Sequence, residues 1–282
     1  MDMKIKILAD STCDLPYSLL QSNDISLVPL TVVKGDEQFK DGITITSQDI
    51  FDHVAAGGSL CSTAAVSIGE YEEKFEEFSK DYDGIIVVNI GSGFSACHQN
   101  ARLAAEDYPN VRCIDTQNLS TGQGLVAMEA RRLAEQGLDL DTIAEKLTAY
   151  SEKIESSFLV DKLDYLVKGG RCSSAAALGA NLLNLKPCIE VKDNKMAVGK
   201  KYRGNFGKSL VTYVKERLEG RSDIDGDSVL ITFAGVDEQV LEDVTATIKE
   251  YGNFQNIYRA NTGCTVSCHC GPGTLGIMFA RK

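Results

Sequence analysis

The stretch that decides the fold is GIIVVNIGSGFSACHQNARLAAE, residues 84–106. Ile85, Ile86, Val87 and Val88 form an unbroken apolar run, the pattern of a parallel strand covered on both faces. Ala101, Leu103, Ala104 and Ala105 then give a helical, alanine-rich face. Between them lies a joint of small residues, Gly91-Ser92-Gly93-Phe94-Ser95-Ala96. A loop leading from a parallel strand into a helix gathers unpaired backbone N–H groups and the positive end of the helix dipole at one point. Ser92 and Ser95 add hydroxyl donors there. The joint is predicted to hold an oxyanion; a plain loop with capped helix ends is the alternative reading.

Outward from this unit, strands and helices alternate. Residues 4–9 and 25–33 read as strands, with Pro29 placing the second at an edge or bulge. Tyr17–Ser22 reads as a helix with Pro16 in its first turn. Thr46 or Ser47 caps a helix through Ala55, and Ser67 with Glu70 forms a capping box for a helix bearing Tyr71, Phe75 and Phe78. A strand at 111–114 and helices at 125–136 and 140–153 follow. The pattern predicts an α/β chain with a doubly wound, mostly parallel sheet in residues 1–156. Residues 157–282 read as a smaller α/β domain with a mixed sheet. Its elements are a strand at 158–160, a helix at 163–168 stopped by Gly169-Gly170, and a helix at 173–183. A hairpin turning at Asp193-Asn194, helices over Phe206–Leu218 and Glu238–Tyr251, and strands at 228–234, 256–259 and 276–280 complete it.

Bulk properties narrow the function. A chain of 282 residues is comfortable for two domains. A net charge of −11 argues against nucleic acid, which needs a basic surface. No apolar run approaches a membrane span, and the N-terminal residues lack the basic-then-apolar pattern of an export signal. Nine cysteines then read as reduced thiols in a cytoplasmic protein.

Several constellations carry chemistry. Ser62-Thr63 forms a second hydroxyl-rich loop, and loops at the carboxyl ends of parallel strands converge on one crevice. Thr63 and Ser95 are therefore predicted to face one oxyanion, each donating a hydroxyl hydrogen bond, with Ser92 in support. Lys168-Gly169-Gly170-Arg171 puts a guanidinium after a two-glycine turn, suited to a carboxylate or phosphate and equally to an exposed helix stop. Arg203 closes a basic cluster, Lys200-Lys201-Tyr202-Arg203, which fits a solvated face or a docking patch. Cys264, Cys268 and Cys270 invite a zinc reading but lack the usual paired spacing, so no metal is predicted. His269 beside Gly271-Pro272-Gly273 is a titratable donor on a rigid turn. Asp10 and Asp14, in the loop after the first strand, fit turn and cap chemistry, a cation, or a base. No nucleotide-binding loop, dinucleotide fingerprint or catalytic triad motif occurs. Apolar wall material is available at Ile90, Phe94, Leu119 and Leu125, and at Phe158, Leu178, Leu182, Leu183 and Ile277.

Taken together, these stretches resemble the bacterial DegV proteins. The matching pieces are Ile7-Leu8-Ala9-Asp10-Ser11 with Asp14-Leu15, and Ile25 to Leu30 with Asp41-Gly42. Thr63 through Tyr71, Ser92 to Ser95, Asp115-Thr116 and Ser120 to Gly124 follow, then Leu163 to Arg171, Leu185-Lys186-Pro187 and His269 to Gly273. They run in family order from end to end. Two departures stand out. Thr63 is followed by Ala64-Ala65-Val66-Ser67-Ile68 where the family reads serine-glutamine-proline-serine-proline. The family's serine-glycine-threonine-tyrosine is here Ser95-Ala96-Cys97-His98.

The resemblance implies two α/β domains clasping a long-chain fatty acid, with the pocket between and within them. It implies carboxylate binding by Thr63 and Ser95, with Arg171, Arg203 and His269 near the pocket mouth or a surface facing a kinase. The implied role is a non-enzymatic carrier without a cofactor, presenting the acid to a separate fatty acid kinase for conversion to acyl phosphate. The alternative is a stand-alone enzyme acting on a small phosphorylated or carboxylated metabolite through Asp10 and His269.

Overall fold

The computed structural model describes residues 3–176 and 185–282. In chain order its strands are β1 (Ile5–Asp10), β2 (Ile25–Val28), β3 (Thr31–Lys34), β4 (Glu37–Lys40), β5 (Ser62–Ala64), β6 (Gly84–Asn89) and β7 (Val111–Asp115). The second half adds β8 (Ile154–Val160), β9 (Leu185–Lys192), β10 (Lys195–Arg203), β11 (Ile224–Ala234), β12 (Asn256–Asn261) and β13 (Thr274–Arg281).

Strands β2, β1, β6 and β7 form a parallel sheet in that order. Every residue of β1 and β6 is buried; β6 reads as a continuous apolar run for that reason, while β1 also buries Lys6 and Asp10. The chain leaves β1 to one side for β2 and returns on the other side for β6, so their carboxyl ends flank a crevice. A second sheet, β10-β9-β8-β13-β11-β12, is antiparallel except for the β11–β12 pair. The fold is thus mixed α/β, a parallel sheet followed by a mixed one.

The helix Thr121–Glu135 joins the two. Its face from Thr121 to Ala127 is wholly buried, and Val126 and Ala127 share an apolar cluster with Ile7 and Ile86 on one side and Leu230 and Met278 on the other. The boundary expected at residue 156 falls within β8, which pairs with β13 from residue 154 onward.

Local chemistry explains most of the expected elements. Ser67 with Glu70 and Thr46 with Asp49 both complete capping boxes. Asp193 and Asn194 both take positive φ, as a two-residue hairpin turn requires.

Three expectations need correction. The strand expected over 25–33 is broken at Pro29, which has no N–H for a ladder, so β2 and β3 lie in different sheets. Thr63 sits on a strand rather than in a loop: β5 pairs with β3 in a small sheet of order β4-β3-β5. His269 lies on a helix, Cys264–Cys270, rather than in a loop. The helix expected over 173–183 is described only as Ser173–Ala176; Leu178, Leu182 and Leu183 lie outside the described residues.

Candidate functional site

A cavity of about 220 Å³ opens at the carboxyl ends of β1 and β6. The parallel sheet contributes Ile90, Phe94, Ser95 and Leu119, and the strands beside it Leu30 and Thr63. Phe158, Leu166, Arg171 and Met196 come from the second half. The helix Cys264–Cys270 supplies Thr265, Val266, His269 and Cys270. The wall is mainly apolar, with hydroxyls and one imidazole added. Leu125 and Ile277, also expected as wall residues, pack instead into cores on either side.

Thr63 faces inward by strand alternation: its neighbours Ser62 and Ala64 are exposed while it is half-buried. Its Oγ1 lies 2.9 Å from His269 Nε2. Among the described residues His269 Nδ1 is buried without a partner, and a β-carbon on Gly169 would stand 2.7 Å from it. A proton on Nδ1 would be an orphaned buried N–H, so we assign it to Nε2. His269 then donates to Thr63, and the threonine hydroxyl hydrogen is free to point into the cavity. Burial, with the Arg171 guanidinium nearby, lowers the His269 pKa to about 4. The imidazole is neutral at neutral pH.

Ser95 also stands on the wall, at the start of the helix Cys97–Ala104, where its Oγ accepts from Cys97 N at 3.3 Å. The other serine of the joint goes elsewhere. Ser92 Oγ donates to Asp115 Oδ2 at 2.5 Å and accepts from Asn194 Nδ2 at 2.8 Å. It is exposed and borders an outer cleft with His98 and Arg102. A supporting role for Ser92 in the cavity is therefore not what its geometry provides. It fastens the hairpin tip to the joint, so closely that a β-carbon on Gly93 would collide with Asn194 O.

The helix bearing His269 is held from far away in sequence. Asp41 accepts from Cys264 N at 2.7 Å and Thr265 N at 3.1 Å, and Asp14 accepts from Gly263 N at 2.7 Å. The side chains of Asp41 and Asp14 thus accept from the first amides of a helix whose last turn carries His269. Ser11 extends the link, donating to Asp41 at 2.9 Å and accepting from Leu30 N at 3.1 Å. Asp14 is buried, and that burial raises its pKa to about 8.

The remaining candidates divide. Arg171 follows Gly170, whose left-handed backbone ends the helix Asp164–Gly169. It is exposed at the cavity rim and donates to Gly169 O at 2.9 Å. Arg203 ends β10, exposed and off the cavity wall. Asp10 is fully buried, accepts from Ile90 N at 2.8 Å and from Thr12, and does not reach the wall. It is therefore not assembled with His269 into a catalytic pair. Cys264 donates to Ile45 O at 3.1 Å, and Cys268 packs beside Val32 and Ile50. Burial pushes the Cys264 and Cys270 thiols up to about 12, away from the thiolate that binds metal. Among the described residues, no three His, Cys, Asp or Glu side chains gather as a metal site, and no helix is long and apolar enough to cross a membrane.

Sequence reasoning overlooked Thr265 and the pairing of Asp41 with the helix Cys264–Cys270. An acidic residue before a turn signals a cap, but nothing in the sequence says that the capped helix lies over two hundred residues later.

Comparisons with known proteins agree with this architecture. A DegV domain-containing protein of Clostridium perfringens is 30% identical over 283 residues, covering 99% of both chains. A Thermus thermophilus structure, described as fatty acid binding of a DegV family protein, superposes with a TM-score of 0.90 at 28% identity, covering 99% of this chain and 100% of that one. A Thermotoga maritima structure, described as revealing fatty acid binding function, gives 0.86 at 26% identity, with 99% and 100% covered. The family model described as uncharacterised protein, DegV family, matches residues 4–282, and the chain belongs to that family.

Proposed function

We propose that this protein binds a long-chain fatty acid, with its carboxylate at Thr63 and Ser95 and its tail in the apolar cavity. The observation that carries the reading is the Thr63–His269 pair on an otherwise greasy wall. Fatty acid binding by the related Thermus and Thermotoga proteins supports it. Moving a sixteen-carbon tail out of water contributes roughly 12 kcal/mol before ordering costs. A carboxylate buried without partners would cost several kcal/mol in return, or would take up a proton. Two hydroxyls and the amides opening the helix Cys97–Ala104 offset that cost. The tail supplies affinity and the head group orientation.

The reading extends to a carrier role. A separate kinase would hold ATP and magnesium; a carboxylate oxygen attacks the γ-phosphorus, the bond to ADP breaks, and an acyl phosphate forms. Phosphoryl transfer depends chiefly on positioning and positive charge. Arg171 at the rim is placed to supply charge, and Arg203 extends a surface for the kinase to face.

The test is mass spectrometry of freshly purified, denatured protein, followed by uptake of hexadecanoic acid by delipidated protein. A co-purifying or re-bound acid is expected. Neither appearing overturns the reading. Thr63→Ala and Ser95→Ala should each weaken acid retention by about tenfold, the worth of one lost hydrogen bond to a charged group. Unchanged retention in both removes these residues from the site.

A further inference from the structure

The two hydroxyls assigned to the carboxylate are not equally free. With the imidazole proton on Nε2, Thr63 accepts from His269, and among the described residues its own hydrogen has no acceptor. Ser95 is different. Its Oγ accepts from Cys97 N at 3.3 Å and donates to Cys97 Sγ at 3.2 Å. One residue thus holds both sides of this hydroxyl. The amide fixes where the oxygen sits, and the sulfur takes the hydrogen.

The kind of atom that takes the hydrogen matters. Ser95 is half-buried and stands on the cavity wall. Cys97, the first residue of the helix Cys97–Ala104, is 0% exposed and lies behind that wall. A ligand therefore meets Ser95 and does not meet Cys97. Burial, with Asp10 nearby, pushes the Cys97 thiol up to about 12. The sulfur belongs to a neutral thiol, which accepts hydrogen bonds only weakly. A carboxylate is the opposite case, since a hydrogen bond to an ionised oxygen is roughly twice as strong as a neutral one. When an acid arrives, the Ser95 hydrogen turns from sulfur to carboxylate at little cost, while Cys97 N keeps the oxygen in place. An oxygen at the sulfur's position would hold that hydrogen more firmly in the empty protein, and binding would first have to break the stronger bond.

We propose, on the footing of the fatty acid reading, that Cys97 is a positioning residue for the acid. Its backbone amide orients the Ser95 oxygen, and its sulfur keeps the Ser95 hydrogen loosely, ready for a carboxylate.

The test measures affinity for hexadecanoic acid in delipidated wild type, Cys97→Ser, Cys97→Ala, Ser95→Ala and the double variant Ser95→Ala with Cys97→Ser, each checked for folding by thermal unfolding. Cys97→Ser puts an oxygen acceptor in place of the sulfur and is expected to bind about fivefold more weakly. Cys97→Ala keeps the amide and removes the acceptor, so it should stay within about twofold of wild type. With Ser95→Ala the hydrogen is gone, and adding Cys97→Ser should then change nothing. That comparison separates positioning from packing, because a packing defect persists whether or not residue 95 carries a hydroxyl. Cys97→Ser binding as tightly as wild type overturns the proposal. So does a Cys97→Ser loss that persists without the Ser95 hydroxyl. Should the serine variant not fold, Cys97→Ala decides alone: a loss as large as that of Ser95→Ala overturns the proposal. In each of these results the Ser95→Ala loss still stands, and with it the fatty acid reading. Ser95→Ala without effect removes Ser95 from the site, and a wild type that takes up no acid fails the fatty acid reading; either result overturns this proposal as well.

Discussion

The joint from Gly91 to Ala96 and the helix Cys264–Cys270 each deliver one polar group to the same cavity, yet they are held in place by different means. Ser95 is placed by its neighbours in sequence: a buried strand, a run of small residues and the first turn of a helix. His269 is placed by Asp14 and Asp41, which lie 249 and 223 residues from the amides they hold. Local placement survives changes elsewhere in the fold. Placement by distant caps makes the site depend on the first strands and their loops. The helix end of the site should therefore be the more fragile one, and stability measurements can decide that.

The largest effect is expected from Asp41→Ala. It strips the acceptor from two backbone amides and from Ser11 at a position 4% exposed. Leaving buried donors unpaired in this way costs about 3 kcal/mol or more. Urea unfolding should show that loss, together with weaker retention of acid. A loss under about 1 kcal/mol would mean the helix is held by its packing and the comparison is wrong.

Asp14→Asn sharpens the contrast through pH. The folded protein keeps Asp14 protonated up to about 8, whereas the unfolded chain releases that proton near 3.8. Between those values the folded state binds more protons, so this residue lowers stability as pH rises. His269 works in the opposite sense. Its folded pKa of about 4 lies below its ordinary 6.5, so its contribution is lost as pH falls through that window. Asn at position 14 cannot ionise. Relative to wild type, Asp14→Asn should gain stability between pH 5 and pH 8, by a difference of order 4 kcal/mol. Parallel stability–pH curves for the two proteins would show that Asp14 is not held neutral.

How much of this was legible follows the same division. Residues 84–106 declared themselves because a doubly covered strand and a small-residue loop are both local patterns. Ser67 with Glu70, and Asp193-Asn194, were legible for the same reason: capping boxes and two-residue turns are written within a few positions. The helix Cys264–Cys270 was not, because its short run of cysteines, Ser267 and Thr265 has little helical pattern, and its stability comes from tertiary partners. Thr63 and Ser95 were named because hydroxyls near strand ends suit an oxyanion and because the family resemblance places a hydroxyl pair there. In the sequence Pro29 fits an edge or a bulge within one strand; that it divides two sheets depends on where β3 finds its partners.

The smallest effect, and the sharpest division within one loop, is expected at Ser92. It shares the joint with Ser95, but its hydroxyl bridges Asp115 and Asn194 on the exposed side. Water can replace both bonds once the side chain is shortened, so Ser92→Ala should cost less than about 1 kcal/mol. The hairpin would remain docked through Gly93 N, which donates to Asn194 Oδ1 at 3.1 Å. Acid retention should stay at the wild-type level, whereas Ser95→Ala reduces it. Equal losses in the two variants would mean that the joint acts on the ligand as a whole. The reading of one serine for the cavity and one for the hairpin would then be wrong, because a substitution three residues away and on the outer side has no other route to the carboxylate than through the backbone they share.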